Sequence, residues 1–330
     1  MAVDVSQIVE LVENDGYPAM FESYDSQPVI YPLLGEVRSP ADAGEPYYGN
    51  KETTFQGLER FKERPDLQDV DDSTFDKGWT YQSAIKQYSR SLTIPARVRL
   101  ANDSVSRIKA SIIQAATDWG EVAQLQKDDV MAGMFQKGTL TAGSTEYFDN
   151  AYPGNADSNA GFIYDGLPWF DTAHTLSGSA STYANHTASL GLTAANLQTV
   201  LQTMRHTNAV NERGERIMIR PTHMIVPGGL EYTARTILES TQLPGSPNND
   251  ANVVQGSLQL VTWNALSDSA SSAAWWVVQA GRGLTIYDSG APTIAVKEKQ
   301  NGDIVVVAEY HFGAAISNWR YHYSANKAAS

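Results

Sequence analysis

The side chains best suited to chemistry lie in one polar stretch, which contains Asp165, Asp171, His174 and His186. Imidazole and carboxylate groups are zinc ligands, so a metal site is one interpretation of this composition. The spacing matches no metal-binding signature, and hydrogen bonding within a loop needs the same residue types. Loop hydrogen bonding is therefore the favoured interpretation. A hydrolase that uses Asp171 and His174 is a further hypothesis, but it needs a nucleophile or a metal that the sequence does not identify.

The other motifs that could bind nucleotides or build a nucleophile are incomplete. The serine-rich sequence LSGSASTY contains no GxSxG, PGGLEYT lacks the lysine of a phosphate-binding loop, and GRG is not GxGxxG. The adjacent carboxylates Asp71-Asp72 and Asp128-Asp129 point apart on a helix or a strand, which disfavours acid–base pairing. The chain has no cysteine, which excludes disulfides and thiolate chemistry. We therefore predict no catalytic residue, no metal, no cofactor and no enzymatic activity.

The 330 residues have an ordinary globular composition, 42% hydrophobic and 18% charged. No apolar run approaches the ~18 residues of a membrane span, and the acidic start of the chain does not resemble a signal peptide. The net charge of −13 is concentrated in residues 1–76, which hold 17 acidic and 5 basic side chains. A basic group follows this acidic segment: Lys86, Arg90, Arg97, Arg99, Arg107 and Lys109. The acidic segment either aids solubility or complements a basic surface on a second copy, and its sign disfavours DNA binding.

The first 46 residues divide into a short helix-compatible run and a proline-broken remainder. Val5, Ile8, Val9 and Val12 form the run, and five prolines occur between positions 18 and 46. Because proline disrupts helix interiors and central strands, we predict an extended segment after the run. Contact with a neighbouring subunit would order such a segment.

Residues 47–99 predict a long two-stranded excursion with an acidic tip. Its arms run from about Thr53 to Arg64 and from Trp79 to Leu92, where aromatic and β-branched residues alternate with polar ones. A lone hairpin is marginally stable in water, so this one needs a partner surface. Large aromatics carry much of the energy of interfaces. We predict inter-subunit contacts at the following residues: Phe55, Phe61, Asp71, Asp72, Lys77, Trp79, Tyr81, Tyr88, Arg97 and Arg99.

The clearest helix runs from Ser104 to Lys137, where apolar residues recur at spacings of three and four. Gly120 in its middle is either a tolerated glycine or a bend point. Thr139–Ala184 is loop-rich, and from Thr193 helices and strands alternate, which indicates a mixed α+β domain. Helices are predicted from Thr193 to Asn208 and after Pro227.

Strands are predicted in the second half of the chain at Ile217–Ile219, His223–Val226, Ser257–Trp263, Trp275–Gln279, Leu284–Tyr287 and Thr293–Lys297. Asn301-Gly302 predicts a type I′ hairpin turn that leads into a long final β segment. Four tryptophans in these apolar strands are predicted core residues: Trp263, Trp275, Trp276 and Trp319.

Two regions resemble the major capsid proteins of tailed double-stranded-DNA bacteriophages, in particular the Mu-like major head subunit type. The first is RPTHMIVPGGLEYTARTILES at Arg220–Ser240 with LPGSPNNDANVVQG at Leu243–Gly256, and the second is LPWFDTAHTLSG at Leu167–Gly178. Thr175 stands where the family usually has a proline after FDTAH. The resemblance is carried by motifs in these two regions and by the order of elements over the first hundred residues.

The resemblance implies an HK97-like α+β fold in five parts. Residues 1–46 would be an N-terminal arm, 47–99 an extended β loop, and 100–191 a peripheral domain with a spine helix and a loop insertion. Residues 192–289 would be an axial domain, and 290–330 strands that return to the peripheral and axial domains. It also implies a structural subunit that assembles into the hexamers and pentamers of an icosahedral head around double-stranded DNA, without sequence-specific binding. No cofactor and no turnover are implied.

The resemblance further implies the partners. These are other copies of the chain, a portal and, in some members, a decoration protein. The resemblance also implies that the protein is located in the virion, after assembly in the host bacterial cytoplasm, and that no membrane is involved. Because the sequence begins at its arm, we expect a separate scaffolding protein. Lys77 is the candidate for the lysine–asparagine cross-link that some relatives form. The alternative is an encapsulin-like compartment shell protein of the same fold, with protein cargo.

Overall fold

A computed structural model describes residues 4–43, 51–57, 59–61, 63–64, 66, 69, 72, 74, 76–82, 84–99, 104–139, 165, 167–242, 250–266 and 273–327. Within these ranges the side chains of 51, 52, 80–82, 84, 99 and 104 are not described. Both helices and sheets form the described part, so the α+β prediction is confirmed. The boundaries of the five predicted parts stay predictions.

The helices fall into two groups. Those of the first group, in the N-terminal half, are α1 (Val5–Leu11), α2 (Tyr17–Ser26), α3 (Tyr31–Leu34), α4 (Ala96–Arg99) and α5 (Ser104–Gln136). Those of the second group are α6 (Ala194–Gln202) and α7 (Glu231–Glu239). Val12–Gly16 and Thr203–Thr207 form π-helical turns next to α1 and α6.

The predicted helix at Ser104–Lys137 is confirmed, because α5 ends within one residue of the expected position. Its inner face buries Ile108, Ile112, Ala116 and Ala123, which follow the three- and four-residue spacing of an amphipathic helix. Gly120 is on the same buried face. The long helix therefore lies with one side against the rest of the chain along much of its length.

A five-stranded sheet packs against α5. Its strands are β1 (Glu36–Arg38), β4 (Ala84–Ile94), β11 (Leu284–Asp288), β12 (Thr293–Glu298) and β13 (Ile304–Ile316). The order is β1-β11-β13-β12, and β4 pairs antiparallel with β13 from Ile304–Ile94 to Ala314–Ala84. The long final β segment predicted from the sequence is thus the centre of this sheet.

A second five-stranded sheet has α6 and α7 on one face, and its other face packs on the core that contains Phe135 of α5. Its order is β7-β14-β10-β8-β9, and its strands are β7 (His186–Thr187), β8 (His223–Val226), β9 (Gln259–Thr262), β10 (Trp275–Val278) and β14 (His322–Ala325). All four residues of β8, β10 and β14 are buried, as expected for strands covered on both faces. Trp263, Trp275, Trp276 and Trp319 are each at most 1% exposed, which confirms them as core.

Two small hairpins complete the described elements. β2 (Lys51–Phe55) pairs with β3 (Lys77–Gln82), and β5 (His174–Leu176) pairs with β6 (Ser179–Tyr183). No strand forms at Ile217–Ile219, where that prediction is wrong. The Ile217 N–H instead donates to the Ala209 carbonyl beside the isolated bridge between Val210 and Arg216.

The prediction of an extended segment after the first helical run is wrong for residues 17–34. Pro18 lies inside a helical run that is unbroken from Val5 to Ser26, directly after the π-helical turn at Val12–Gly16. Pro32 lies in the first turn of α3, where a helix needs no N–H donor. The Ser23 hydroxyl donates to the Thr117 carbonyl of α5 at 2.8 Å. This segment therefore lies on the long helix of its own subunit.

The predicted excursion is shorter than expected. The β2–β3 pairing joins Lys51 to Gln82 and contains a bulge between Thr53 and Phe55, but β4 leaves the hairpin and pairs with β13. β4 belongs to the sheet because Ile85 and Ile94 bury there, at 1% and 5% exposure. The second predicted arm, Trp79–Leu92, thus divides between two sheets.

The hairpin at Asn301-Gly302 is confirmed, but its predicted turn type is wrong. Gly302 has φ +79°, whereas Asn301 is not among the described residues with positive φ, and a type I′ turn requires both. The Gly302 N–H donates to the Lys299 carbonyl and the Lys299 N–H to the Asp303 carbonyl. This is a three-residue loop, in which an ordinary turn is followed by a glycine in the left-handed region.

Candidate assembly surfaces

The predicted interface residues on the hairpin are strongly exposed at its outer end. Phe61 is 107% exposed and Phe55 is 56% exposed, and Asp72 and Lys77 are also exposed. Asp71 lies outside the described residues, and for Tyr81 only the backbone in β3 is described. An exposed phenylalanine on a protruding loop is the kind of group that interfaces bury, so the interface role of these residues stays a prediction.

Trp79 lies on the body of its own subunit. It is half-buried against a cluster that contains Ile85, Tyr287, Ala315 and Trp319. Its backbone N–H donates to the Thr54 hydroxyl, and that hydroxyl donates to the Trp79 carbonyl, both at 2.9 Å. Part of the Trp79 side chain is therefore buried within its own subunit. Only the exposed part of the side chain is available to a second copy.

Tyr88 also has a partner in its own chain. Its ring stacks on Tyr310 with 5.2 Å between the centroids. It lines a groove of about 320 Å³ between β4 and α5, together with Arg90, Trp119 and Val122. β4 pairs with β13 alone among the described strands, so its other edge faces this groove region without a strand partner.

The predicted basic residues are spread over three elements. Arg97 is exposed in α4, and Arg99 is described only as backbone. The start of α4 is fixed by Asp303, whose carboxylate accepts from the Ala96 N–H at 2.8 Å. Lys109 pairs with Asp15 at 2.8 Å, so at least one contact between the acidic front segment and the basic stretch is made within the subunit.

A residue missed at the sequence level ties the hairpin to the body. The Arg213 guanidinium donates to the Gly57 carbonyl at 3.1 Å and to Glu59 at 3.3 Å on the first leg. On the second leg it donates to the Thr74 carbonyl at 2.9 Å and to Asp76 at 2.8 Å. The side chain of Arg213 is 16% exposed. It lies in a turn after Asn211, and nothing in the sequence pairs it with residues 137 to 156 positions earlier.

The polar stretch around His174 is held together by hydrogen bonds. His174 Nδ1 lies 2.6 Å from Asp165, and its Nε2 lies 3.1 Å from the Asn185 side-chain oxygen and 3.2 Å from the Trp169 carbonyl. The ring stacks on Trp319 with 4.6 Å between centroids. The hydrogen-bonding interpretation is therefore confirmed for His174. Within the described residues, no group of three or more potential ligands could hold a metal.

His186 and Asp171 are not chemical partners of His174. His186 is buried in β7, and burial lowers the pKa of its imidazole. Asp171 accepts from the Ala173 N–H at 2.8 Å, which stabilises the local turn. Both ring nitrogens of His174 face Asp165, Trp169 and Asn185, so the arrangement gives no support to a hydrolase that uses Asp171 and His174.

A buried polar cluster in the core also escaped the sequence. Lys127 of α5 is 0% exposed, and its ammonium donates to the Tyr24 hydroxyl at 2.8 Å, to Asp288 at 2.5 Å and to the Gly290 carbonyl at 2.7 Å. Burial lowers the pKa of Lys127, and the negative charge of Asp288 acts against this shift. The Tyr31 hydroxyl donates to the same Asp288 carboxylate at 2.7 Å.

Asp128, the neighbour of Lys127, has a separate structural role. Its carboxylate accepts from the backbone N–H groups of Ile30 and Tyr31 at 2.9 and 3.0 Å, and from the Trp263 indole at 2.6 Å. It thus holds the start of α3 to α5 and to the second half of the chain. Asp129 is exposed and does not share this site, as expected for adjacent residues on a helix.

The family model for phage capsid proteins matches residues 97–325. The chain belongs to the phage capsid protein family. The match includes both motif regions, α5, the second sheet and three strands of the first sheet, β11, β12 and β13, and it confirms that the chain is a phage capsid protein. The Mu-like subtype has no support beyond the sequence motifs.

Solved structures similar to this capsid protein include the capsid of Ralstonia phage GP4, with 13% identity, a TM-score of 0.47 and coverage of 90% of this chain and 87% of that chain. The capsid of the cyanophage P-SCSP1u has 12% identity, a TM-score of 0.49 and coverage of 92% and 89%. A virus-like particle from Pyrococcus furiosus has 9% identity, a TM-score of 0.44 and coverage of 94% and 98%. No curated protein sequence is significantly similar to this capsid protein.

The capsid protein is a structural subunit by family, and its described helices do not include one with the length and apolar character of a membrane span. The residues brought together by its fold are mostly partners within the subunit. Exposed large apolar residues lie on the hairpin, on the outer face of α5, in the N-terminal segment, and in the second half of the chain at Met218, Tyr232 and Val253.

Proposed function

We propose that this capsid protein is the major subunit of an icosahedral phage head, which assembles into hexamers and pentamers around double-stranded DNA. The observation that carries the proposal is the family match over 97–325. The net charge of −13 supports it, since a shell that encloses DNA has no need of the phosphate-neutralising surface that DNA-binding proteins carry. The working form would be the virion, after assembly in the host cytoplasm.

Exposed apolar residues on separate faces support assembly through several contacts. Phe55 and Phe61 lie on the hairpin, and Val122 and Leu125 lie one turn apart on the outer face of α5, at 52% and 43% exposure. A subunit within a closed shell has neighbours on several sides, and each contact buries such groups. In this proposal α5 is the spine helix, and residues 192–289, with α6 and α7, are the axial region.

The proposed partners are further copies of the chain, a separate scaffolding protein, a portal and a decoration protein. The proposal includes no enzymatic activity and no cofactor. Lys77 is exposed near the end of the hairpin, which would allow the proposed cross-link. Denaturing gels of mature particles test this, because linked subunits would run as ladders above the monomer.

The proposal is tested by expressing the chain alone and with its scaffolding protein, followed by electron microscopy and sedimentation. Closed shells of uniform size are the expected result with the scaffold. A stable monomer at all concentrations with the scaffold present would contradict the proposal. Nuclease-protected DNA inside particles from infected cells is expected, whereas protein cargo without DNA would indicate the alternative, a compartment shell of the same fold.

A further inference from the structure

The hairpin formed by β2 and β3 is held by one side chain from elsewhere in the chain, just beyond the strand pair, where its two legs enter the loop. Arg213 contacts both legs at once, through Gly57 and Glu59 on one side and Thr74 and Asp76 on the other. A guanidinium has five N–H donors in a planar fork, which suits it to bridge two carbonyls and two carboxylates. Removing it would leave the described legs joined by a short strand pairing and by Gln56, which donates to the Asp76 and Lys77 carbonyls.

The turn that presents Arg213 is itself rigid. The Asn211 side-chain oxygen accepts from the N–H groups of Arg213 and Glu215, at 3.0 and 2.8 Å. Gly214 follows with φ +84°, a backbone conformation that favours glycine. The Asn211 N–H donates to the Glu215 carbonyl at 2.7 Å and closes the turn. Arg213 is thus held in place before it contacts the hairpin.

The residue beside it anchors this turn in the core. Glu212 is 8% exposed and pairs with Arg320, which is 1% exposed, at 2.8 Å. The other Glu212 oxygen accepts from the Ser177 N–H at 2.7 Å, and the Glu212 carbonyl accepts from the Gly178 N–H at 3.1 Å. Adjacent side chains therefore face opposite ways: Glu212 inward to the core and Arg213 outward to the hairpin.

We propose that Arg213 is a positioning residue that clamps the two legs of the β2–β3 hairpin, just beyond the strand pair, to its own subunit and so sets the direction in which the hairpin meets a second copy. The reference to a second copy rests on the proposed function, whereas the clamp itself does not. Arg60 adds a weaker contact, from its guanidinium to the Arg216 carbonyl at 2.9 Å. Because Glu59 and Asp76 are partly exposed, salt screens their attraction to Arg213 and loosens the clamp.

The clamp is tested on the unassembled subunit by chymotrypsin cleavage after Phe61, whose side chain is fully exposed. Chymotrypsin is chosen because substituting an arginine would itself remove a tryptic site. Arg213→Gln should raise the cleavage rate about tenfold, since cleavage follows the population of the open loop. Arg213→Lys should lie between, because an ammonium keeps the charge but cannot bridge both legs. The matched control is Arg216→Gln, whose side chain contacts His206 and not the hairpin, and it should cleave at the wild-type rate.

Hydrogen exchange separates a clamp from a general loss of stability. In Arg213→Gln, faster exchange should be confined to residues near 51–82, and β8, β10 and β13 should exchange as in the wild type. Wild-type cleavage in Arg213→Gln, or faster exchange throughout both sheets, would overturn the clamp.

Assembly then tests the positioning role. With the scaffold present, Arg213→Gln should form at least about fivefold fewer closed shells than Arg216→Gln; equal yields would overturn the positioning role. Failure of the wild-type chain to form shells would contradict the proposed function and leave the cleavage result on the clamp intact.

Discussion

Gly120 of α5 lies against the backbone of Met20 in α2, so closely that an ideal Cβ at position 120 would be 2.4 Å from the Met20 carbonyl oxygen and 3.0 Å from the Tyr24 nitrogen. Real Cβ atoms do not approach backbone atoms to this extent. The glycine in the middle of the long helix is therefore explained by a helix crossing. This replaces its interpretation as a bend point, because a close approach of another helix requires the missing side chain.

Gly120→Ala should destabilise the subunit, contrary to what a tolerated or hinge glycine would show. Overpacking costs about 1–3 kcal/mol, and the better helix propensity of alanine recovers about 1 kcal/mol. A net loss of up to about 2 kcal/mol is expected in urea unfolding of the unassembled subunit.

The matched control is Gly133→Ala in the same helix, where an added Cβ meets nothing within 4 Å. That variant should be unchanged or more stable by up to about 1 kcal/mol. Equal behaviour of the two variants would show that α2 does not cross α5 at Gly120.

Lys127→Met should destabilise the subunit by about 3–5 kcal/mol, because it leaves the Asp288 carboxylate buried without its ammonium partner. Lys109→Met is the control in the same helix: its pair with Asp15 is exposed, at 44% and 30% of the two side chains, and such pairs contribute less than about 1 kcal/mol. Adding Asp288→Asn to Lys127→Met should restore part of the loss, since the buried charge is then gone. A loss that is the same for the two lysines would contradict this assignment.

His322 should make the subunit less stable as the pH falls. It is fully buried, and burial lowers the pKa of its imidazole from 6.5 to about 3. Below pH 6.5 the unfolded chain binds a proton that the folded chain does not, so stability falls with pH down to about 3. Between pH 6.5 and pH 5 this group should remove about 2 kcal/mol.

His322→Phe keeps an aromatic ring beside Trp169, to which the imidazole ring lies at 5.2 Å, and removes the titration. The wild type and the variant have all other titrating groups in common. The difference between their unfolding midpoints, measured from pH 7 to pH 5, therefore reports on His322. The stability of the variant should fall less over this range. Parallel curves would show that His322 is protonated in the folded state or does not titrate there.

Phe61→Ser should change the stability of the subunit little and lower the yield of shells, because its ring is 107% exposed and buries almost no surface in the described part of the subunit. Trp79→Ala should do the reverse in part, with a loss of about 2 kcal/mol or more in subunit stability, since the ring packs on its own core. Normal shells from Phe61→Ser would remove the hairpin end from the interface.

The sequence predicted the elements whose signals are local. The spacing of apolar residues such as Ile108 and Ile112 predicted α5, and apolar runs predicted the buried strands β8 and β10. The prediction of an extended N-terminal segment is wrong because helical periodicity, and not the presence of proline, decides the structure there. Its buried positions, Ile8, Val12, Gly16, Met20 and Tyr24, recur every four residues, and this pattern runs through Pro18 without interruption.

The contacts that define the surfaces could not be predicted, because they join residues far apart in sequence. Arg213 meets Asp76 across 137 positions and Lys127 meets Asp288 across 161, and a single arginine or lysine gives no sign of its partner. The same holds for β4, whose alternation fits a hairpin arm and a sheet strand equally well. Its place was decided by β13, which lies more than two hundred residues later.

The Tyr17 hydroxyl bonds both the carbonyl and the N–H of Ile294, 277 residues away, and β1 pairs with β11. During synthesis, Tyr17 is therefore made 277 residues before its hydrogen-bond partner Ile294. Native contacts of such long sequence separation form slowly, and until then the helices of the first forty residues expose the face that later covers α5. The newly made subunit is thus most prone to aggregation during its own synthesis, and chaperone binding to this front segment would protect it.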